Sequence, residues 1–207
     1  ISSLSRHYAS HSNEAYSRLL DWGLRLTVLL TLPAAVALAL LATPLITTLF
    51  YYGAFTAEDV WMTRQALIAY SFGLLGLIMV KVLAPGFYAR QNIKTPVKIA
   101  VLTLVATQVM NLLFIIPLQH AGLALAIGLG ACLNAGLLYY KLRTNDIYQP
   151  LPGWLKFMVK ILVAVIVMGT TLWLSSGNDS LWLQMNAIDR ALRLTFTVCI
   201  GAIAYFM

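Results

Sequence analysis

The sequence predicts an all-α, polytopic membrane protein with about six transmembrane helices. Three observations predict it. Apolar residues make up 60% of the chain and charged ones only 10%, with a mean hydropathy of +0.82, which leaves too little polar surface to clothe a water-soluble globule of 207 residues. The apolar residues gather in continuous runs near the ~20 residues that a helix needs to cross a hydrocarbon core of about 30 Å, not in the alternating stretches of barrel strands. The basic residues recur in separated loops on alternate connections, the pattern of the positive-inside rule.

Taken in order, residues 1–22 read as a cytoplasmic, interfacial lead-in, because over Ser12–Asp21 the charges of Glu14, Arg18 and Asp21 mix with Tyr16, Leu19 and Leu20 at helical spacing. Gly23–Phe50 is the first span. Pro33 and Pro44 interrupt it, each removing a backbone hydrogen bond and marking either an ordinary kink or a hinge used in a transport cycle. Trp61–Ala84, Val97–Pro117 and Ala121–Tyr140 follow, so that residues 23–142 carry four membrane helices. Residues 143–154 form a cytoplasmic linker, and residues 155–207 carry two further helices, Leu155–Ser175 and Ile188–Met207.

The connections assign sides. The lead-in with Arg6, Arg18 and Arg25, the loop around Arg90 and the segment Lys141–Lys160 are basic; Tyr51–Asp59, the tight Pro117–Gly122 turn and Ser176–Asp189 are acidic or neutral. The two sets alternate over six spans, which places both termini in the cytoplasm. Arg190 and Arg193 are the exception, since they open the last helix on the outer side, where the helix dipole favours negative charge. A lipid phosphate there would relieve the conflict.

The net charge of +7 is therefore read as topology, and no nucleic-acid partner is expected, because the basic residues do not cluster on one polar face. Cys132 and Cys199 both fall in apolar runs, where a thiol behaves as a small hydrophobe. The chain begins at Ile1 without a methionine and ends within apolar sequence, so it is expected to be the C-terminal part of a longer protein.

No enzymatic constellation can be assembled. All seven acids map to loops or helix ends, and His7, His11 and His120 lie in the lead-in and a turn; His7 and His11 share a helix face with no acid or cysteine beside them, so no metal site is expected. Polar residues inside the spans are the remaining candidates. Thr103, Thr107 and Asn111 fall on one face with Gln108 beside them, while Gly122, Ala126, Gly130 and Asn134 form a small-residue stripe on the next helix. These read either as close helix packing with amide hydrogen bonds, or as a wet cavity where Gln108, Asn111 and Asn134 meet a polar substrate. Lys81, near the cytoplasmic end of the second span, either snorkels or projects toward an anionic headgroup. Lys156 and Lys160 stack at the mouth of the fifth span as interfacial anchors.

The most specific stretch is Lys81-Val82-Leu83-Ala84-Pro85-Gly86-Phe87-Tyr88-Ala89-Arg90-Gln91-Asn92-Ile93-Lys94-Thr95-Pro96, which overlaps a basic, helix-breaking hinge, Ala84–Lys98. With Leu49-Phe50-Tyr51-Tyr52-Gly53-Ala54-Phe55 and Asp59 before it, the chain resembles the MurJ (MviN) lipid II flippase family of the multidrug and polysaccharide exporter superfamily. The resemblance implies a fourteen-helix fold in the bacterial inner membrane, of which this chain would supply helices nine to fourteen. It also implies movement of a lipid-linked peptidoglycan precursor between leaflets by alternating access, without covalent chemistry.

Under that resemblance the partners are the lipid-linked precursor, membrane lipids and the N-terminal helices of the same flippase. The residues themselves, rather than the family, offer Lys81, Gln108, Asn111 and Asn134 as substrate contacts, Pro85, Arg90, Lys94 and Pro96 as a cytoplasmic gate, and Arg190 and Arg193 as a lipid-phosphate contact. The last two helices would cradle the polyprenyl tail. The family's cavity arginines match no position here. No cofactor is expected, and these residues leave open whether a coupling ion or the membrane potential drives the cycle. A cation-coupled exporter of the same superfamily and a structural membrane scaffold are the competing expectations.

Overall fold

A computed structural model of the chain describes residues 2–207, with side chains from Glu14 onward. Eight helical segments succeed one another: α1 (Ser2–Leu40), α2 (Ala42–Phe50), α3 (Ala57–Leu83), α4 (Pro85–Tyr88), α5 (Lys94–Thr144), α6 (Trp154–Ser176), α7 (Asp179–Gln184) and α8 (Ala187–Phe206). Among the described residues there is no strand. The side chains of Arg6, His7 and His11 lie outside the described ones.

Among the described residues four segments are long and apolar enough to cross a membrane: Glu14–Leu40, Ala57–Tyr88, Lys94–Thr144 and Trp154–Ser176. The third has 51 residues and would run about 77 Å if straight, far more than a bilayer needs. It does not run straight. Gln119 leaves helical geometry with φ 47° and ψ −123°, two residues after Pro117, whose ring cannot supply an N–H to the turn before it. A Cβ on Gly122 would meet the backbone of Phe114, and one on Gly130 would overlap Thr107. Those pairings, 114 with 122 and 107 with 130, define an antiparallel hairpin whose first limb is 94–118 and whose second is 120–144. The predicted third and fourth spans are these two limbs. The sixth, α8, is apolar along its later turns, while Asp189, Arg190 and Arg193 occupy its first two.

The lead-in and first span are one helix. α1 continues through residue 21 without interruption and breaks instead at Leu41, after which α2 completes the predicted span. Over its described length the expected lead-in runs on into the first span as one rod, with Leu20 and Leu24 buried in a core with Leu83, Phe87, Leu138 and Leu142.

α3 runs between the elements before and after it. On one side it meets the second limb of α5 so closely that a Cβ on Gly73 would strike the backbone of Gly128, and one on Gly76 would lie 2.7 Å from the Cα of Cys132. Pairing 73 with 128 and 76 with 132 makes these helices parallel. Between helices in lipid, where burying an apolar side chain gains little over leaving it in the tails, such backbone approach supplies the van der Waals contact that holds the bundle. On its other side α3 packs against α1, where a Cβ on Gly23 would come within 3.3 Å of Val82. The last pair, α6 and α8, packs mutually and reaches the rest through α1, α2 and α7, with Val28, Leu41, Ile161, Val165, Met168, Leu172 and Tyr205 as its buried seam.

Candidate functional site

The hinge is a short rigid corner. α3 ends at Leu83, and Pro85 occupies the first position of α4, where its missing N–H costs nothing. Phe87 is fully buried, and a Cβ on Gly86 would come within 3.0 Å of Leu142. Gln91 takes a left-handed φ of 57°, and Asn92 Oδ1 accepts from the Thr95 amide at 3.2 Å as α5 begins. Pro96 is buried, whereas Arg90, Lys94 and Lys98 are exposed at the rim.

Beside this corner lies a polar cluster invisible at the level of sequence. Asp21 is 1% exposed. Its Oδ1 accepts from Tyr148 Oη at 2.7 Å, Trp154 Nε1 at 2.7 Å and the Leu151 amide at 3.2 Å. Its Oδ2 accepts from Arg25 Nε at 2.7 Å. The Arg25 guanidinium also donates to the Pro152 carbonyl at 3.2 Å and stacks 5.2 Å over the Trp154 ring. Ser17 exchanges hydrogen bonds with the backbone of Gln149 in both directions. The predicted cytoplasmic linker is therefore stapled to α1 by one carboxylate whose partners compensate the burial of its charge. Burial, then the bond to Asp21, holds the Tyr148 phenol well above its ordinary range. Asp21 and Arg25 stand four apart, a spacing that suggests a helix-surface pair; nothing local reveals Trp154, which is 133 residues away.

At the opposite end Arg190 is 6% exposed. Its guanidinium donates to the carbonyls of Thr47 at 3.1 Å, Tyr51 at 3.3 Å and Leu183 at 3.2 Å, and lies 4.8 Å over the Tyr51 ring. The cation that conflicted with its own helix dipole thus serves the carbonyl end of α2. Arg193 donates to the Ser176 carbonyl at 3.3 Å and covers the buried Trp182 ring. Arg64 pairs with Asp179 at 3.7 Å.

Between the two ends α1, α6 and α8 enclose an apolar groove of about 240 Å³, lined among others by Leu30, Pro33, Ala34, Met168, Gly201 and Tyr205. Tyr205 closes it by donating its hydroxyl to the Leu29 carbonyl at 2.6 Å. A larger apolar crevice of about 630 Å³ lies between α1, α3, the second limb of α5 and α6, with Leu24, Met79, Cys132, Tyr139 and Trp154 on its walls.

The four candidate substrate residues are distributed over α3 and both limbs of α5. Lys81 is exposed on α3 and Gln108 on the first limb of α5. Asn111 follows Thr107 by four residues and Asn134 follows Gly130 by four, which puts both along the hairpin seam. Asn111 Nδ2 reaches Gln108 Oε1 at 3.4 Å, while the buried Oδ1 atoms of Asn111 and Asn134 have no partner among the described residues. Pro85, Arg90, Lys94 and Pro96 do share one corner.

A model of the lipid II flippase MurJ family matches residues 1–192. The lipid II flippase MurJ of Burkholderia cenocepacia is 47% identical over 207 residues, covering 100% of this chain and 40% of that protein. A probable lipid II flippase MurJ of Haemophilus influenzae is 37% identical, covering 99% and 41%. A solved lipid II flippase MurJ in an inward closed conformation superposes with a TM-score of 0.76 at 22% identity, over 94% of this chain and 39% of that one. The chain thus spans about two fifths of the length of these relatives.

Proposed function

Because the chain belongs to the lipid II flippase MurJ family, we propose that it supplies the C-terminal helices of a flippase that carries lipid II, the undecaprenyl-diphosphate-linked peptidoglycan precursor, across the bacterial inner membrane. It is a multi-pass membrane chain, and in this reading the corner at Pro85 and both termini lie on the cytoplasmic side, with the N-terminal helices of the same protein completing the path.

The observation that carries the proposal is the groove between α1, α6 and α8. Its walls are almost wholly apolar, so a polyprenyl chain loses no hydrogen bonds on entering and none of its surface meets an unpaired dipole. Flipping such a lipid requires no bond to be made or broken. The protein has to shield a charged head while the tail stays in apolar surroundings. Lys81, Gln108, Asn111 and Asn134 are the residues of this part that would face the head; Arg90, Lys94, Pro85 and Pro96 would form the cytoplasmic gate. Arg193, the more exposed of the outer arginines, is the one placed to meet a lipid phosphate, since Arg190 is engaged with three carbonyls.

No second reading has a comparable observation.

Complementation tests the proposal. The full-length protein should restore growth and cell shape to a bacterium depleted of its own flippase, and tryptophan at Ala34 and Ala202, which fills the groove, should abolish the rescue while leaving membrane insertion intact. Full rescue by the filled variant would sink the role of the groove.

A further inference from the structure

Pro33 lacks the N–H that would bond to the carbonyl four residues before it, and that carbonyl is Leu29. In lipid such a vacancy is costly unless a neighbouring helix fills it. Here one does. The Tyr205 hydroxyl of α8 donates to the Leu29 carbonyl at 2.6 Å, and Tyr205 is 8% exposed, with Pro33 and Tyr205 standing on the same groove. The bond joins residues 176 positions apart, next to the seam where Val28 of α1 and Leu41 just beyond its end bury against Met168 and Leu172 of α6.

We propose that Tyr205 is a positioning residue: its hydroxyl stands in for the amide missing at Pro33, so that α8 fixes the course of α1 across the proline from outside α1. The Tyr205 ring is buried in the seam of α1, α6 and α8, which aims its hydroxyl at Leu29. α1 also carries Asp21 and Arg25, which hold the linker at its other end. The linker and the C-terminal helices are thereby tied to α1 at Asp21 and at Leu29, about two turns apart, and the second tie acts where the proline weakens the rod.

The test is a double-substitution cycle on the full-length protein in lipid nanodiscs, which does not depend on what the protein transports. In a cysteine-free background, Trp22→Cys and Leu40→Cys, both at exposed positions, take nitroxide labels that flank Pro33 about 27 Å apart along α1, and pulsed EPR reads their separation. Tyr205→Phe should shift and broaden the distance distribution while Pro33 is present. With Pro33→Ala, which restores the amide and lets α1 satisfy Leu29 itself, Tyr205→Phe should leave the distribution unmoved. No shift with Pro33, or a shift of the same size with Ala at 33, overturns the proposal, the second because the ring would then be acting by packing alone.

Discussion

Trp154, the first residue of α6, donates its indole N–H to the carboxylate of Asp21 in α1 at 2.7 Å. That bond joins α1 to α6 across the linker 145–153, beside the apolar seam where α6 and α8 pack on α1. Asp21→Ala leaves the donors of Arg25, Tyr148, Trp154 and Leu151 unanswered and should cost about 3–5 kcal/mol, as for a broken buried charge pair. Trp154→Phe removes one charge-assisted bond and should cost about 1.5–3 kcal/mol. Thermal unfolding of the purified protein measures both, and limited proteolysis at Asn145–Gly153 should accelerate in the same order.

The same cluster sets a pH dependence. The folded chain holds the Tyr148 phenol neutral, first by burial and then by its bond to Asp21. Below about pH 10, the ordinary tyrosine value, both folded and unfolded phenols are protonated and the contribution is complete. Above it the unfolded phenol ionises while the folded one keeps its proton, so stability falls. Unfolding midpoints followed from pH 7 upward should decline beyond ~10, and Tyr148→Phe should remove this part of the decline.

The crossing of α3 with α5 makes a prediction with an internal control. A methyl at Gly73 would lie 2.8 Å from the carbonyl carbon of Gly128, whereas one at Gly136 meets nothing within 4 Å. Backbone cannot step aside as a side chain can, so Gly73→Ala should destabilise by at least about 1–3 kcal/mol. Gly136→Ala should be neutral or stabilising by up to about 1 kcal/mol through helix propensity. Equal melting temperatures for the two variants would contradict the close crossing.

Arg190 makes a third stability prediction. Arg190→Met strands three carbonyls and should cost at least about 1.5–3 kcal/mol, the worth of one hydrogen bond to a charged group. Lysine, with a single ammonium in place of a planar fork, should recover only part of it. Hydrogen exchange at residues 47–51 should quicken in both variants.

Much of the architecture was legible because it rests on local chemistry. Apolar run length marked the helices, Pro117 marked the hairpin, and Lys81–Pro96 carried the family resemblance. The glycine stripe at Gly122 and Gly130 was readable as close packing, and Gly130 does lie against Thr107. The break at Leu41 was only partly legible, since Pro33 and Pro44 announced two interruptions, yet α1 runs through Pro33 and the one break falls three residues before Pro44. Nor were Asp21 with Trp154, Arg190 with Thr47, or Tyr205 with Leu29. Each joins residues more than 130 positions apart, and a charged or hydroxyl side chain near a helix end has the same local signature whether it faces water or a distant carbonyl.

The most direct measurement is photocrosslinking to the substrate. With a photoreactive amino acid at Ala202 in the groove, or at Val163 and Leu174 on the exposed faces of α6, the full-length flippase is irradiated in membranes containing radiolabelled lipid II. A groove that holds the polyprenyl tail predicts strong labelling from position 202 and only background from 163 and 174. Equal yields at all three positions would contradict it.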